Sequence, residues 1–153
     1  VFYRHFREWV AAACREWKYD HPDEAFYRSV RERLTDEILK WIGYGINAGL
    51  IREYGLRFNV AGNAARKRYK WFSERRNAAG PQCNWEYYVQ VARFIRLWNP
   101  CKAAGLDLIF EDKLMDLTAR RGGKLLWCVE RTTAFSLTGQ PRRLTAIFVT
   151  LSS

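Results

Sequence analysis

Two carboxylates in the C-terminal third have the surroundings in which acidic side chains do chemistry. Asp116 lies in the segment LMDLT and Glu130 in LWCVERT, so apolar residues flank both of them. A carboxylate is costly to bury in such surroundings unless a cation or a hydrogen-bonding partner compensates its charge. Two carboxylates on neighbouring strands can hold Mg²⁺ and leave coordination positions open for a phosphate. The alternative is that each acid ends a strand or pairs with Arg120, Arg121 or Arg131.

Residues 108–132 contain the run IFEDKLMDLTARRGGKLLWCVERT, which resembles the core hairpin of the PD-(D/E)xK nuclease superfamily. In that family a strand bearing Asp leads through a short turn to a strand bearing Glu-x-Lys. The resemblance implies that Asp116 and Glu130 bind the metal of a Mg²⁺-dependent nuclease. Thr132 stands at the position of the family's lysine, so the catalytic cation would be the adjacent Arg131, or else Lys113 or Lys124.

The two acids work together only if they point to the same face of the hairpin. A two-residue turn at Gly122-Gly123 would place Glu130 opposite Met115, and the alternation of side chains would then send Asp116 and Glu130 to opposite faces. A three-residue turn or a β-bulge would bring both acids to one face. The nuclease hypothesis therefore requires a specific irregularity in this hairpin.

A second candidate site is the basic run RKRYKWFSERR at residues 66–76. The chain has a formal net charge of +10, and residues 61–105 hold nine Lys or Arg against two acids, so the excess is local. A local excess of cations with interleaved aromatics favours a nucleic-acid partner, because cations bind phosphates and rings stack on bases. Tyr69 and Trp71 are the expected stacking residues. The expected phosphate-binding residues are Arg66, Lys67, Arg68, Lys70, Arg75 and Arg76.

Other functions stay open beside DNA or RNA binding. The basic run can also be a solvated edge that keeps the protein soluble. The seven Trp and eight Tyr residues suit an interaction surface or homo-oligomer interface as the second hypothesis, and a small-ligand pocket as the third. The chain lacks a GxGxxG or GxxxxGK[ST] motif, and its two histidines both lie in the first 21 residues, which disfavours histidine-dependent catalysis.

The remaining composition sets limits on location and cofactors. No apolar run approaches the about 20 residues of a membrane span, and the N-terminal segment VFYRHFREW lacks the pattern of a signal peptide. Four scattered cysteines without a histidine pair argue against structural zinc and for reduced thiols in a cytoplasmic protein. No cofactor is expected, other than Mg²⁺ if the protein is a nuclease.

The spacing of apolar residues predicts the elements that position these groups. Helical periodicity indicates a helix over residues 2–18, a second helix that begins at Asp20 as N-cap and runs into the early 40s, and a third from Trp85 that Asn99-Pro100 stops. Alternation from Tyr54 to Val60 predicts a strand. The basic run after it either returns as a strand or opens a helix.

The last third has β character. It is expected to contain strands at 106–110, 113–119 and 125–130, a hairpin turn at 121–124, and a final strand at 144–151. The order of elements predicts a single α+β domain in which N-terminal helices pack on a mostly antiparallel sheet.

Overall fold

The computed structural model describes residues 2–77, 80–112 and 115–129, and the chain forms two compact units, Val1–Arg96 and Leu97–Ser153. The described residues form four helices and three small antiparallel sheets, which confirms the α+β class. The expected single sheet is thus divided into three. The assignment of the whole chain to one domain stays a prediction.

The first helix follows from the apolar stripe of the N-terminal segment. Helix α1 spans Phe2–Trp17, and its buried residues recur every three or four positions: Phe6, Trp9, Val10 and Ala13. Lys18 adopts a left-handed conformation (φ 56°), and the Tyr19 N–H donates to the Cys14 carbonyl, which ends the helix.

The expected long second helix is in fact two helices. Helix α2 spans Glu24–Arg33 and helix α3 spans Asp36–Asn47. The N-cap of α2 is Asp23 and not Asp20, because the Asp23 carboxylate accepts a hydrogen bond from the Phe26 N–H at 3.0 Å. Between the helices, Thr35 is extended and its hydroxyl caps α3, so a local capping residue interrupts an apolar stripe that periodicity alone would continue.

The predicted strand at 54–60 is a hairpin. Strand β1 spans Ile51–Tyr54 and strand β2 spans Arg57–Val60, joined by a two-residue turn whose Gly55 has φ 63°. The basic run then returns as a strand, which decides between the two alternatives left open by its sequence. Strand β3, Tyr69–Lys70, pairs with β2 and completes the antiparallel order β1-β2-β3.

A second hairpin and a long helix follow. Strands β4, Phe72–Asn77, and β5, Gly80–Cys83, pair antiparallel, and helix α4 spans Trp85–Ala103. The expected stop at Asn99-Pro100 is wrong, because a proline in the last turn removes only one donor. The helix ends at Ala103, and Gly105 (φ 68°) turns the chain so that the Leu106 N–H donates to the Cys101 carbonyl. None of the described helices combines the length and apolarity needed to cross a bilayer.

The second unit contains an antiparallel meander. Strands β6, Asp107–Asp112, β7, Met115–Arg121, and β8, Lys124–Val129, pair in sequence order. The predicted turn is confirmed at Gly122-Gly123, where both glycines have positive φ (54° and 81°), as a two-residue hairpin turn requires. The predicted final strand at 144–151 lies outside the described residues.

An aromatic stack forms the core of the first unit. Trp71 is fully buried between Trp9 and Phe58, with ring centroids 4.9 and 3.9 Å away and nearly parallel planes. Tyr88 of α4 packs beside Trp71 at 4.8 Å. Because Trp9 belongs to α1 and Phe58 to β2, the stack fixes the helix against the inner face of the sheet.

Helix α3 approaches the same sheet closely through a glycine. A Cβ built on Gly45 would lie 2.7 Å from Ile95 Cδ1 and 2.8 Å from Ile51 Cδ1. Only a glycine therefore lets α3 come this near to β1 without displacing its neighbours. Helices thus cover much of the inner face of the sheet.

Candidate nucleic-acid interface

The structure divides the predicted basic run between surface and core. Four of its cations are exposed: Arg66, Lys67, Arg68 and Lys70. Tyr69 is half-buried, and its ring packs 5.4 Å from Phe58. Arg75 and Arg76 lie in β4, and their side chains are outside the described part of the structure.

Trp71 does not have the exposed position expected of a stacking residue. Its side chain is completely buried, so no base can reach its ring while the protein is folded. The physical reason is that Trp71 directly follows the short strand β3 and points to the inner face, where α1 supplies Trp9 as a stacking partner. Trp71 is therefore a core residue and not a base-stacking residue.

The strand register brings further cations to the outer face of the sheet. Arg52 lies opposite Asn59, Tyr54 opposite Arg57, and Arg57 opposite Lys70. Residues paired across antiparallel strands share one face. We call this surface the basic sheet face; it consists of Arg52, Tyr54, Arg57, Asn59 and Lys70.

The basic sheet face contains no acidic position. Arg52, Arg57 and Lys70 are all exposed, and the ion pairs found within the described part of the chain involve none of them. Like charges directly opposite each other across strands are destabilising, as for Arg57 and Lys70. This arrangement reduces the stability of the protein alone.

An ordered arginine extends this face. The Arg68 guanidinium carbon lies 3.7 Å from the centroid of the Tyr54 ring, which is within the range of a cation–π contact. Arg68 Nη1 also donates to the main-chain carbonyls of Lys67, at 2.9 Å, and of Ala65. Tyr54 nevertheless remains 44% exposed. Together these contacts hold the guanidinium over one face of a ring that stays partly exposed.

Two asparagines hold the loop that carries Arg66, Lys67 and Arg68. Asn59 Nδ2 donates to the Ala64 carbonyl at 3.2 Å, and Asn59 Oδ1 accepts from the Val60 N–H. Asn63 Nδ2 donates to the Tyr69 hydroxyl at 2.9 Å. The loop therefore presents its cations from a defined position beside the basic sheet face.

The nearest acid on the sheet, Glu53, belongs to the opposite face. It pairs with Phe58 in the register, and its carboxylate accepts a hydrogen bond from the Trp9 side chain. Partial burial raises the pKa of Glu53 above its ordinary value of 4.5, although the Trp9 hydrogen bond and His5 oppose the shift. Glu53 therefore does not neutralise Arg52 or Arg57.

Glu53→Gln is expected to stabilise the protein at neutral pH. Because the folded-state pKa of Glu53 is raised, the wild type loses stability as the pH rises from 4.5 through the folded pKa, and the loss stays constant above it. The neutral glutamine avoids this loss. Thermal melts should show a higher Tm for the variant at pH 7 and equal values at pH 4, with Glu16→Gln on the exposed side of α1 as the control for net charge. A variant with a lower Tm than the wild type at pH 7 would contradict this expectation.

The second candidate site is only partly described. Asp116 is half-exposed in β7, whereas Glu130, Arg131, Lys113 and Thr132 lie outside the described residues. Asp116 and Glu111 occupy opposing positions between the Phe110–Leu117 and Asp112–Met115 pairs, and Glu111 has a left-handed backbone (φ 52°). Within the described ranges no three metal-binding side chains come together.

The irregularity that the nuclease hypothesis requires is present in the hairpin. Arg120 pairs with Leu125, but Ala119 pairs with Trp127, so β8 contains one extra residue at Leu126. The bulge shifts the register by one and places Leu117 opposite Val129. Leu117 and Val129 are the last described pair of this ladder.

Cysteine nucleophiles are disfavoured among the described residues. Cys14, Cys83 and Cys101 are free and buried. Burial raises the pKa of each thiol, to about 12 for Cys83, so all three stay protonated at neutral pH. None of these three thiols is therefore activated as a nucleophile in the described structure.

Four members of the basic sheet face were missed by sequence reasoning. Arg52, Tyr54, Arg57 and Asn59 lie outside the 66–76 run, and their significance depends on β1 and β2 being separate strands. The signal that could have found them is Gly55, which marks a hairpin turn inside an apparently continuous alternation. No protein-family model, curated protein or solved structure matches this chain.

Proposed function

We propose that this protein binds nucleic acid through the basic sheet face and the adjacent loop cations. The observation that carries the proposal is the grouping of Arg52, Arg57 and Lys70 around the exposed Tyr54 on a face without acids. These exposed cations repel one another, whereas each can neutralise a phosphate and release a condensed counterion. A polyanion is therefore the partner that this surface fits best.

A titration of labelled DNA and RNA oligonucleotides by fluorescence anisotropy tests the proposal. Each neutralised phosphate contributes about −0.7 for single strands or −0.9 for duplex to the slope of log K against log salt concentration. Three to five contacts should therefore give a slope of about −2 to −4. Absence of binding to every oligonucleotide at low salt would end the proposal. A mass above that of the monomer in the same samples would then favour the alternative, a homo-oligomer or an adaptor for an acidic protein.

A second candidate activity, metal-dependent phosphodiester cleavage, rests on a different observation. The bulge in β8 is an irregularity of the kind that the nuclease resemblance requires, and Glu111 lies across the ladder from Asp116. Carboxylate oxygens are the ligands that Mg²⁺ prefers, so Asp116 and Glu130 would hold the ion with Arg131 beside them. The ion would polarise the phosphate and activate water.

Asp116→Asn is expected to abolish this cleavage. The amide keeps the shape of the side chain but removes the negative charge that holds the cation. Cleavage of a labelled oligonucleotide should depend on added Mg²⁺ or Mn²⁺, disappear in Asp116→Asn and Glu130→Gln, and persist in Asp107→Asn, since Asp107 pairs instead with Lys102 at 3.9 Å. Cleavage that survives in Asp116→Asn would exclude this site.

We also propose a cytoplasmic location. Cys14, Cys83 and Cys101 are free thiols, as a reducing compartment maintains them.

A further inference from the structure

We infer that the basic sheet face recognises single-stranded nucleic acid in preference to duplex, with a base stacked against Tyr54 and Arg68. This inference rests on the proposed nucleic-acid binding and names the form of nucleic acid that the face selects. It depends on the position of one exposed ring among the cations, not on the net charge.

Tyr54 is placed where a stacking platform is useful. It is one of three large apolar or aromatic residues that are substantially exposed in the described structure, with Tyr44 and Leu126. Among these, Tyr54 alone belongs to the basic sheet face, where its cross-strand partner is Arg57. A base stacked on Tyr54 would thus have cations beside it to bind its flanking phosphates.

Arg68 lies over the Tyr54 ring and makes the platform a stacked and more rigid pair. A guanidinium plane stacks on bases much as an aromatic ring does. Arg68 is already held against Tyr54 by the cation–π contact and by two main-chain carbonyls. Little side-chain entropy is therefore lost when a base arrives, because the two groups are ordered beforehand.

The arrangement of the cations suits a strand that crosses the sheet. Tyr54, Arg57 and Lys70 stand on three successive strands, so the row spans two inter-strand spacings, about 10 Å. Arg52 lies on the same strand as Tyr54, two residues away and on the same face. A short single strand can place one base on the ring and its neighbouring phosphates on these cations.

A duplex cannot use the ring in this way. Its bases are stacked on each other and expose only their edges in the grooves. Reaching Tyr54 would require unstacking or flipping a base, which costs a few kcal/mol. Duplex binding to this face is therefore restricted to phosphate contacts, whereas a single strand gains both phosphate contacts and base stacking. An acidic protein surface would gain the cation contacts but not the base stacking.

The test compares oligo(dT) and oligo(U) with a hairpin duplex of the same number of phosphates. Base stacking on an aromatic residue changes affinity by about 5-fold to 150-fold per base. Tyr54→Ala and Tyr54→Leu should each weaken single-strand binding within this range and leave duplex binding nearly unchanged. Tyr54→Phe, which keeps the ring, should retain wild-type affinity. Tyr44→Ala is the matched control, because Tyr44 is equally exposed, at 46%, but lies on α3.

The outcomes separate this inference from the proposed function. Equal affinity for single strands and duplex, with no effect of Tyr54→Ala or Tyr54→Leu, would overturn the stacking inference and leave phosphate binding intact. A folded wild type without salt-sensitive affinity for any of these ligands would overturn both. Circular dichroism verifies the fold of each variant, and Tyr54→Leu, which preserves apolar bulk, decides the result if Tyr54→Ala unfolds.

Discussion

Replacing Arg52, Arg57 and Lys70 together by glutamine is expected to weaken nucleic-acid binding by about a hundredfold or more at 50 mM salt. The three side chains form the exposed cationic part of the basic sheet face and lack ion-pair partners among the described residues. Each lost phosphate contact removes about 0.7 from the salt slope for a single strand, so at 50 mM it weakens binding about eightfold. Three contacts multiply to a few hundredfold. The slope itself should become shallower by about 2.

The same relation predicts that the effect shrinks at higher salt. At 200 mM salt each contact contributes about threefold to the binding affinity, so the affinity of the triple variant should fall only about thirtyfold. Its stability should not decrease, because the substitution relieves the like-charge pair of Arg57 and Lys70. Anisotropy titrations at both salt concentrations and a denaturant melt measure these three quantities.

A second triple variant provides the matched control. Arg15, Arg28 and Lys40 are also two arginines and one lysine, all exposed, and they lie on α1, α2 and α3 instead of the sheet. Their replacement by glutamine removes the same charge, so only the general electrostatic attraction should fall. If both triple variants lose the same affinity, binding depends on net charge and the basic sheet face is not the interface.

Trp71→Ala is expected to lower the free energy of unfolding by about 3–5 kcal/mol. Trp71 is fully buried, and three aromatic rings, from Trp9, Phe58 and Tyr88, pack around it. Truncation removes the central ring of this stack and leaves a cavity between α1 and the sheet. Guanidinium denaturation followed by circular dichroism measures the loss.

Two further variants make this result specific. Trp71→Phe keeps a ring in the stack and removes the buried Nε1, which has no hydrogen-bond partner in the described structure. The free energy of unfolding should therefore fall clearly less in Trp71→Phe than in Trp71→Ala. Trp41→Ala truncates a half-exposed tryptophan of α3 and should also lower the free energy of unfolding less than Trp71→Ala does. Trp71→Ala with unchanged stability and weakened nucleic-acid binding would instead restore Trp71 as an exposed stacking residue.

Local patterns predicted the elements in which one short segment determines its own conformation. The periodicity of α1 is read directly from Phe6, Trp9 and Ala13, and Gly122-Gly123 specifies a tight turn whatever surrounds it. Errors arose where a local signal of a single residue overrode a longer pattern. Thr35 caps a new helix within an apolar stripe, and Gly55 turns the chain within an apparent strand.

In the candidate sites, too, local sequence predicted some features and contacts between distant segments decided others. The sequence by itself determined that a cluster of cations exists near residues 66–70 and that these side chains are exposed, because charged groups are costly to bury. It also determined that Asp116 and Glu130 can share a face only with an irregularity in their hairpin, since side chains alternate along a strand.

Only the tertiary structure decided which aromatic residue is available for stacking. Trp71 directly follows Lys70 and Tyr54 lies two residues after Arg52, yet Trp71 is enclosed by Trp9 and Phe58 while Tyr54 faces outward. Pairing between β1, β2 and β3 likewise brought Arg52 and Arg57 beside Lys70. The physical reason is that register and burial depend on contacts between segments distant along the chain, which no local pattern of residues contains.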